Sequence, residues 1–212
     1  MKVSELISII NTYGVKVAFD NPEMIANNLR EGQVMYFAPL AGYEIKKYKR
    51  SKHQERFISK TAIIHIPDLT IEDLINVFEC DGTGIHEITR TIIKPYYNKA
   101  IPTNIVFVSF LFLHEVGHWM QFKEMGNNVY AFVNLDYETK RANFEKQLSL
   151  KQRFLSFTEA NNTTEFKDLI DELHKNMIEY RNIPCEKQAD DFAHSHILDA
   201  LNAYQKYMNN LS

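Results

Sequence analysis

The stretch FLFLHEVGHWMQF, residues 110–122, sets His114 and His118 four apart with Glu115 between them, at the end of an apolar run. On an α-helix, residues four apart project from one face, a turn above one another. Two imidazole nitrogens can then meet a single ion. The preceding IVFVSFLFL, residues 105–113, is apolar on every side, as expected of a helix threaded through a core. Two histidines and a glutamate at the end of such a helix are costly to bury unless a metal or hydrogen bonds satisfy them. Zn²⁺ takes nitrogen ligands at about 2.0–2.1 Å and keeps its fourth position open in catalytic sites. Glu115 lies about 100° round the helix from His114, where it can take a proton from a water that the ion acidifies toward about pKa 7. Gly117 has no side chain, so another backbone or a substrate strand can come close. Only three positions of this pattern are fixed, and accident produces it in core helices too. A third ligand is therefore the test.

The best candidate lies in RNIPCEKQADDFAHSHIL, residues 181–198. Pro184 suits a first helical turn. Glu186 and Asp190, four apart, share one face with Ala189, Ala193 and Ile197. The two alanines let this helix approach the HEVGH helix closely, so that Glu186 completes a two-histidine, one-carboxylate set. Asp190 is placed to hydrogen-bond the outer nitrogen of His114 or His118 and fix its tautomer. The alternative reading is an exposed acidic face near a helix N-terminus. Rival third ligands are Glu138, only twenty residues after His118, and His194 and His196, two turns or more beyond Glu186. His174 reads as a residue of a solvated face, and Cys185, about 100° from Glu186, as packing. Trp119, in its aromatic-rich helix, reads as core.

His114-Glu115-Val-Gly-His118 with the later Glu186-x-x-Ala189-Asp190-x-Phe192-Ala193 resembles the ImmA/IrrE metallopeptidases. That family pairs a helix of the type HE(L/V)GH with a later E-x-x-A-(N/D)-x-F-A. The Glu-x-x-x-Asp spacing is also that of thermolysin-like gluzincins. The resemblance implies zinc held by His114, His118 and Glu186, with Glu115 as general base. It also implies a small zincin-like fold with a short sheet beside the active-site helix. Members are typically intracellular, are often encoded on phages or mobile elements, and in the better-known cases cleave a helix-turn-helix repressor. The likeness covers the two motifs, and here two helices, over 138–181, separate them, an insertion expected to cap the cleft.

The rest of the chain frames this site. Its 212 residues, with 45% hydrophobic and 24% charged, read as one domain spanning 1–212 that is long enough to bury a core. Seven glycines and six prolines argue against long linkers. A net charge of −3 gives no global pull toward nucleic acid or anionic membrane. The segment 44–60 carries seven Lys or Arg against two Glu, and is expected to be a solvated hairpin or loop. Two cysteines, Cys80 and Cys185, without a pairing pattern, and an N-terminus without a signal-peptide core, point to the cytoplasm. The longest uncharged run, 100–113, is shorter than the about twenty residues of a membrane span.

Strands are expected at VKVAF, QVMYFA and TAIIHIP. Helices are expected over 3–12, 20–32, 70–78, part of 85–97, 103–126, 138–158, 164–181 and 184–209, with VYAFVNL, 129–135, a strand or extended loop. The class is α+β, predominantly helical. The expected function is a zinc metallopeptidase acting on a protein or peptide. Two alternatives are a non-peptidase zinc hydrolase and a zinc-stabilised binding protein that works through 44–60 and 138–181. Tyr130, Tyr137, Tyr180 and His194 are the candidates for an oxyanion donor, and the sequence does not choose among them.

Overall fold

The computed structural model describes residues 1–21, 23–25, 34–80, 85–156 and 163–211. In chain order these form α1 (Val3–Ile10), β1 (Val17–Asp20), β2 (Tyr36–Ala38), α2 (Tyr43–Arg50), β3 (Ile63–Pro67), α3 (Ile71–Cys80) and α4 (Ile85–Ile93). Then follow α5 (Thr103–Glu124), α6 (Val129–Val133), α7 (Tyr137–Leu155), α8 (Thr163–Arg181) and α9 (Pro184–Leu211). Helices predominate beside one small sheet, as the patterning predicts. The helix expected over 20–32 lies mostly outside the described residues, Pro22 and Gly32 included. Its cap is visible: Asn21 Oδ1 accepts the Met24 N–H at 2.9 Å. The break expected at 161–164 also lies partly outside them.

The sheet has the order β1-β3-β2. β1 runs parallel to β3, and β2 pairs antiparallel with it, Phe37 opposite Ile64. Alternation along β3 turns Ile64 and Ile66 inward, where both are fully buried. They meet a core built round α5. Phe107, Phe110, Phe112 and Phe122 of that helix are all fully buried, each worth roughly 1.5–3 kcal/mol relative to exposure. By length and composition α5 is apolar enough to cross a bilayer, but 83% of its most apolar window is buried inside the fold. α1, α3 and α4 flank it, and α9 packs along its length. α3 starts at the expected cap, the Asp73 N–H donating to Thr70 Oγ1 at 3.1 Å. Its Ile71, Leu74, Ile75 and Phe78 all face the core.

Two local expectations fail. Residues 129–133 are helical, because Asn128 Oδ1 accepts the Ala131 N–H at 3.0 Å and caps a turn that β-propensity had favoured as extended. The basic segment opens as the helix α2 instead of a hairpin or loop. Glu44 anchors it from inside, accepting the Ser59 hydroxyl at 2.9 Å, the Thr61 hydroxyl at 2.8 Å and the Lys60 N–H at 3.1 Å. All seven Lys and Arg of 44–60 remain exposed, so the segment is the solvated face expected.

Helices α7 and α8 pack on each other and keep a small apolar cluster of their own, Leu150, Leu169 and Leu173.

Candidate metal centre

α5 carries His114 and His118 one turn apart, both buried, their rings at 90° to each other. The Nε2 atoms stand 3.1 Å apart. Glu186, in the first turn of α9, is 2% exposed and brings Oε2 to 3.3 Å from His118 Nε2 and 3.4 Å from His114 Nε2. The close approach depends on Gly117, which faces Ala189 across the helix pair. A Cβ at Gly117 would stand 2.8 Å from Ala189 Cα and 3.0 Å from its carbonyl oxygen. The glycine and the alanine read from sequence as permitting contact therefore meet each other.

The outer ring nitrogens fix both tautomers. His114 Nδ1 lies 2.8 Å from Asp190 Oδ1, and His118 Nδ1 lies 3.0 Å from Gln121 Oε1. Gln121 in turn donates from Nε2 to the Cys185 carbonyl at 2.6 Å and to Gln188 Oε1 at 3.2 Å. A carbonyl can only accept, so the amide oxygen of Gln121 must face the histidine. Asp190 is held from its other side by buried Arg181, whose Nη1 donates to Oδ1 and whose Nη2 donates to Thr89 Oγ1 at 3.0 Å. With both Nδ1 atoms donating, each ring turns Nε2 inward, and Nε2 offers a lone pair wherever it carries no proton. Two lone pairs and a carboxylate oxygen, all buried, converge within the reach of one cation. His114, His118 and Glu186 can therefore hold a metal ion.

Of the residues that support these ligands, Asp190, Gln121 and Arg181, the last two escaped the reading of the sequence. Gln121 had a signal: it lies three residues beyond His118, on the same helix face. Arg181 had none, since it lies beside the 182–184 break and reaches the site only through tertiary folding.

Glu115 lies beside this cluster. Its Oε2 accepts the N–H of Phe37, on edge strand β2, at 2.7 Å. Burial raises the Glu115 carboxyl above the ordinary range, as does the charge of Glu186; the nearby histidines and the Phe37 N–H pull the other way without reversing it. Tyr180, at the end of α8, lies beside Glu186, and burial with the charges of Glu186 and Glu115 puts it well above its usual pKa. Lys140 of α7 places Nζ 3.1 Å from Glu186 Oε1.

The rivals are elsewhere. Glu138 is exposed in the first turn of α7, outside the cluster. His194 Nδ1 meets the Tyr96 hydroxyl at 2.7 Å, and His196 Nδ1 meets the Phe192 carbonyl at 2.8 Å. His174 Nε2 pairs with Glu87 Oε2 at 2.7 Å. Cys185 is a buried, free thiol, pushed up to about 12 by burial, so it packs rather than reacts. Trp119 packs partly buried against the core, with Lys123 Nζ 4.6 Å from its ring centre. Tyr130 and Tyr137 are nearly half exposed. A cavity of about 530 Å³ is walled by Ile88, Ile178, Arg181 and Asp190 among others, and by none of His114, Glu115, His118 and Glu186.

Burial opposes charge on His114, but its hydrogen bonds to Asp190 and Glu186 prevail and raise it to about 9. Glu186 is held far below the usual carboxylate range: burial alone would raise it, and the two histidines outweigh that. For His114 the sign follows directly. Its folded pKa exceeds the unfolded value of about 6.5, so its contribution to stability is complete below that pH and is lost as pH rises through about 9. Metal at Nε2 takes the place of that proton. Uptake by chelator-stripped protein near pH 7 is expected to release about one proton from His114, and the release to vanish above about pH 10. Titration calorimetry in two buffers of different ionisation enthalpy measures this; uptake without proton release near pH 7 would contradict it.

Comparison with protein-family models, curated proteins and solved structures finds no match for this chain, so its chemistry is argued from this geometry.

Proposed function

We propose that this chain is a zinc-dependent metallopeptidase of zincin-like architecture, hydrolysing peptide bonds in an intracellular protein. One observation carries the reading: the triangle of His114 Nε2, His118 Nε2 and Glu186 Oε2, with sides of 3.1, 3.3 and 3.4 Å. A tetrahedron of ligands about 2.0–2.1 Å from Zn²⁺ has edges of about 3.3–3.4 Å. Two imidazoles and one carboxylate suit zinc better than the oxygen sets of magnesium or calcium. When bound, zinc supplies Lewis acidity toward a substrate carbonyl and lowers the pKa of water.

The chain's own groups supply the rest. Glu115, anchored by the Phe37 N–H through Oε2, acts as general base and then returns the proton to the leaving amine. Tyr180, protonated throughout the physiological range, is the best placed of the four oxyanion-donor candidates, since it lies beside Glu186 and Glu115 while Tyr130 and Tyr137 are nearly half exposed. A peptide is favoured over other carbonyl substrates by the strand beside Glu115. β2 is an antiparallel edge strand, and the Phe37 N–H points off the sheet toward the site. Such an edge can align an extended chain by adding it as another strand.

Elemental analysis tests the proposal. The wild type is expected to carry about one zinc per chain and to cleave unfolded protein in a screen, and chelator to stop the cleavage. Glu186→Ala should fold but retain little of that zinc. Equal zinc in both proteins, or none in either after zinc is added back, would refute the ligand set.

A further inference from the structure

Both ends of the helix pair α7–α8 reach the metal centre, and the α7 end fastens the third ligand. Asp136, just before α7, holds a left-handed backbone, φ 54, which a non-glycine residue adopts only at a cost. From there its Oδ2 accepts the Cys185 N–H at 2.9 Å. That N–H belongs to the first turn of α9, whose donors have no partners within their own helix. One turn along α7, Lys140 takes the neighbouring residue. Its Nζ stands 3.1 Å from Glu186 Oε1, while Oε2 of the same carboxylate faces the histidines at 3.3 and 3.4 Å. The two oxygens thus have different partners.

We infer that Lys140 is a positioning residue that reserves Oε1 of Glu186, so that the carboxylate meets the metal through Oε2 alone. The inference rests on the metal-centre reading above. A carboxylate beside an ion can supply one oxygen or two, and a two-oxygen grip fills the open position that a catalytic site needs. Around Oε1 the structure sets the ammonium of Lys140 and, more weakly, the Cys185 thiol at 3.8 Å. The Tyr180 hydroxyl also lies near this carboxylate. Lys140 is the charged donor among them, and charge-assisted hydrogen bonds are about twice as strong as neutral ones. On this reading α7 sets how the third ligand binds.

Cobalt(II) is the probe, because its visible bands are intense in four-coordinate sites and weak at higher coordination. Chelator-stripped wild type, Lys140→Met, Lys140→Gln and Lys140→Arg would each receive one equivalent of cobalt, with circular dichroism confirming the fold. Met keeps the apolar stem without the charge, Gln is the second neutral variant should Met not fold, and Arg keeps the cation. The wild type is expected to show the four-coordinate spectrum. Lys140→Met and Lys140→Gln should absorb roughly two-fold or more weakly, with Lys140→Arg close to wild type. Spectra of the neutral variants that superimpose on the wild type overturn the inference while leaving the metal centre standing. A wild type that takes up no cobalt overturns both.

Discussion

Glu115→Gln is expected to cut peptide hydrolysis by roughly 10²–10⁴-fold while zinc content stays at the wild-type level. The substitution preserves size and keeps an amide oxygen that can accept the Phe37 N–H, now received by Oε2 at 2.7 Å. Neither histidine nor Glu186 is altered, so the ion has no reason to leave. What disappears is the ability to accept a proton. The loss should fall on kcat, with KM nearly unchanged, because the side chain still fills its place against β2. Paired measurements of zinc per chain and of kcat on one peptide decide it. Full activity in a zinc-loaded Gln variant would assign the base to another group. A variant that kept every biological effect would favour the zinc-stabilised binding protein over an enzyme.

Gly117→Ala should be nearly as damaging, for a different reason. In an ordinary helix interior the change stabilises by roughly 0.5–1 kcal/mol, since glycine loses more backbone freedom on folding. Here the sign reverses. The added methyl would meet Ala189 Cα at 2.8 Å, Ala189 O at 3.0 Å and Ala189 Cβ at 3.2 Å. Two of these are backbone atoms, so a rotamer change cannot relieve the clash and α9 must move away from α5. Such overpacking typically costs about 1–3 kcal/mol. Ala189 sits between Glu186 and Asp190, so the same shift withdraws the third ligand and the carboxylate that orients His114. Zinc affinity is expected to fall by about 10–100-fold. Denaturant unfolding and chelator competition measure the two losses. Ala189→Gly added to the variant should restore only part of each, because Cα and the carbonyl remain. A more stable Gly117→Ala protein would show that the helices do not approach this closely.

The contrast between Gly117 and Lys140 shows what the chain discloses before it folds. His114, His118, Glu186 and Asp190 were legible because each pair is four apart, and helical geometry turns that spacing into a shared face. The α9 face was legible for the same reason, through Ala189 and Ala193. Lys140 reaches Glu186, 46 positions further along the chain, and no local period encodes such a meeting. Arg181 is hidden likewise. Strand propensity misjudged 129–133 because Val, Tyr and Phe favour a pleated surface, and a single asparagine cap overrode them. The charges of α2 hid a helix whose buried glutamate finds its partners only at Ser59, Lys60 and Thr61.

The position of Glu186 in α9, well downstream of the histidines in α5, also orders events during synthesis. α5 emerges from the ribosome carrying both histidines and an apolar surface on all sides, well before α9 exists to cover it. α1, which precedes both in the chain, packs against α5 and α9 alike, so it too lacks one partner until α9 arrives. Until then the nascent chain holds two ring nitrogens without their carboxylate and a greasy rod without its sheath. Such an intermediate exposes apolar surface and invites chaperones. The three-residue ligand set is therefore incomplete while α5 is being made, and comes together only when α9 docks.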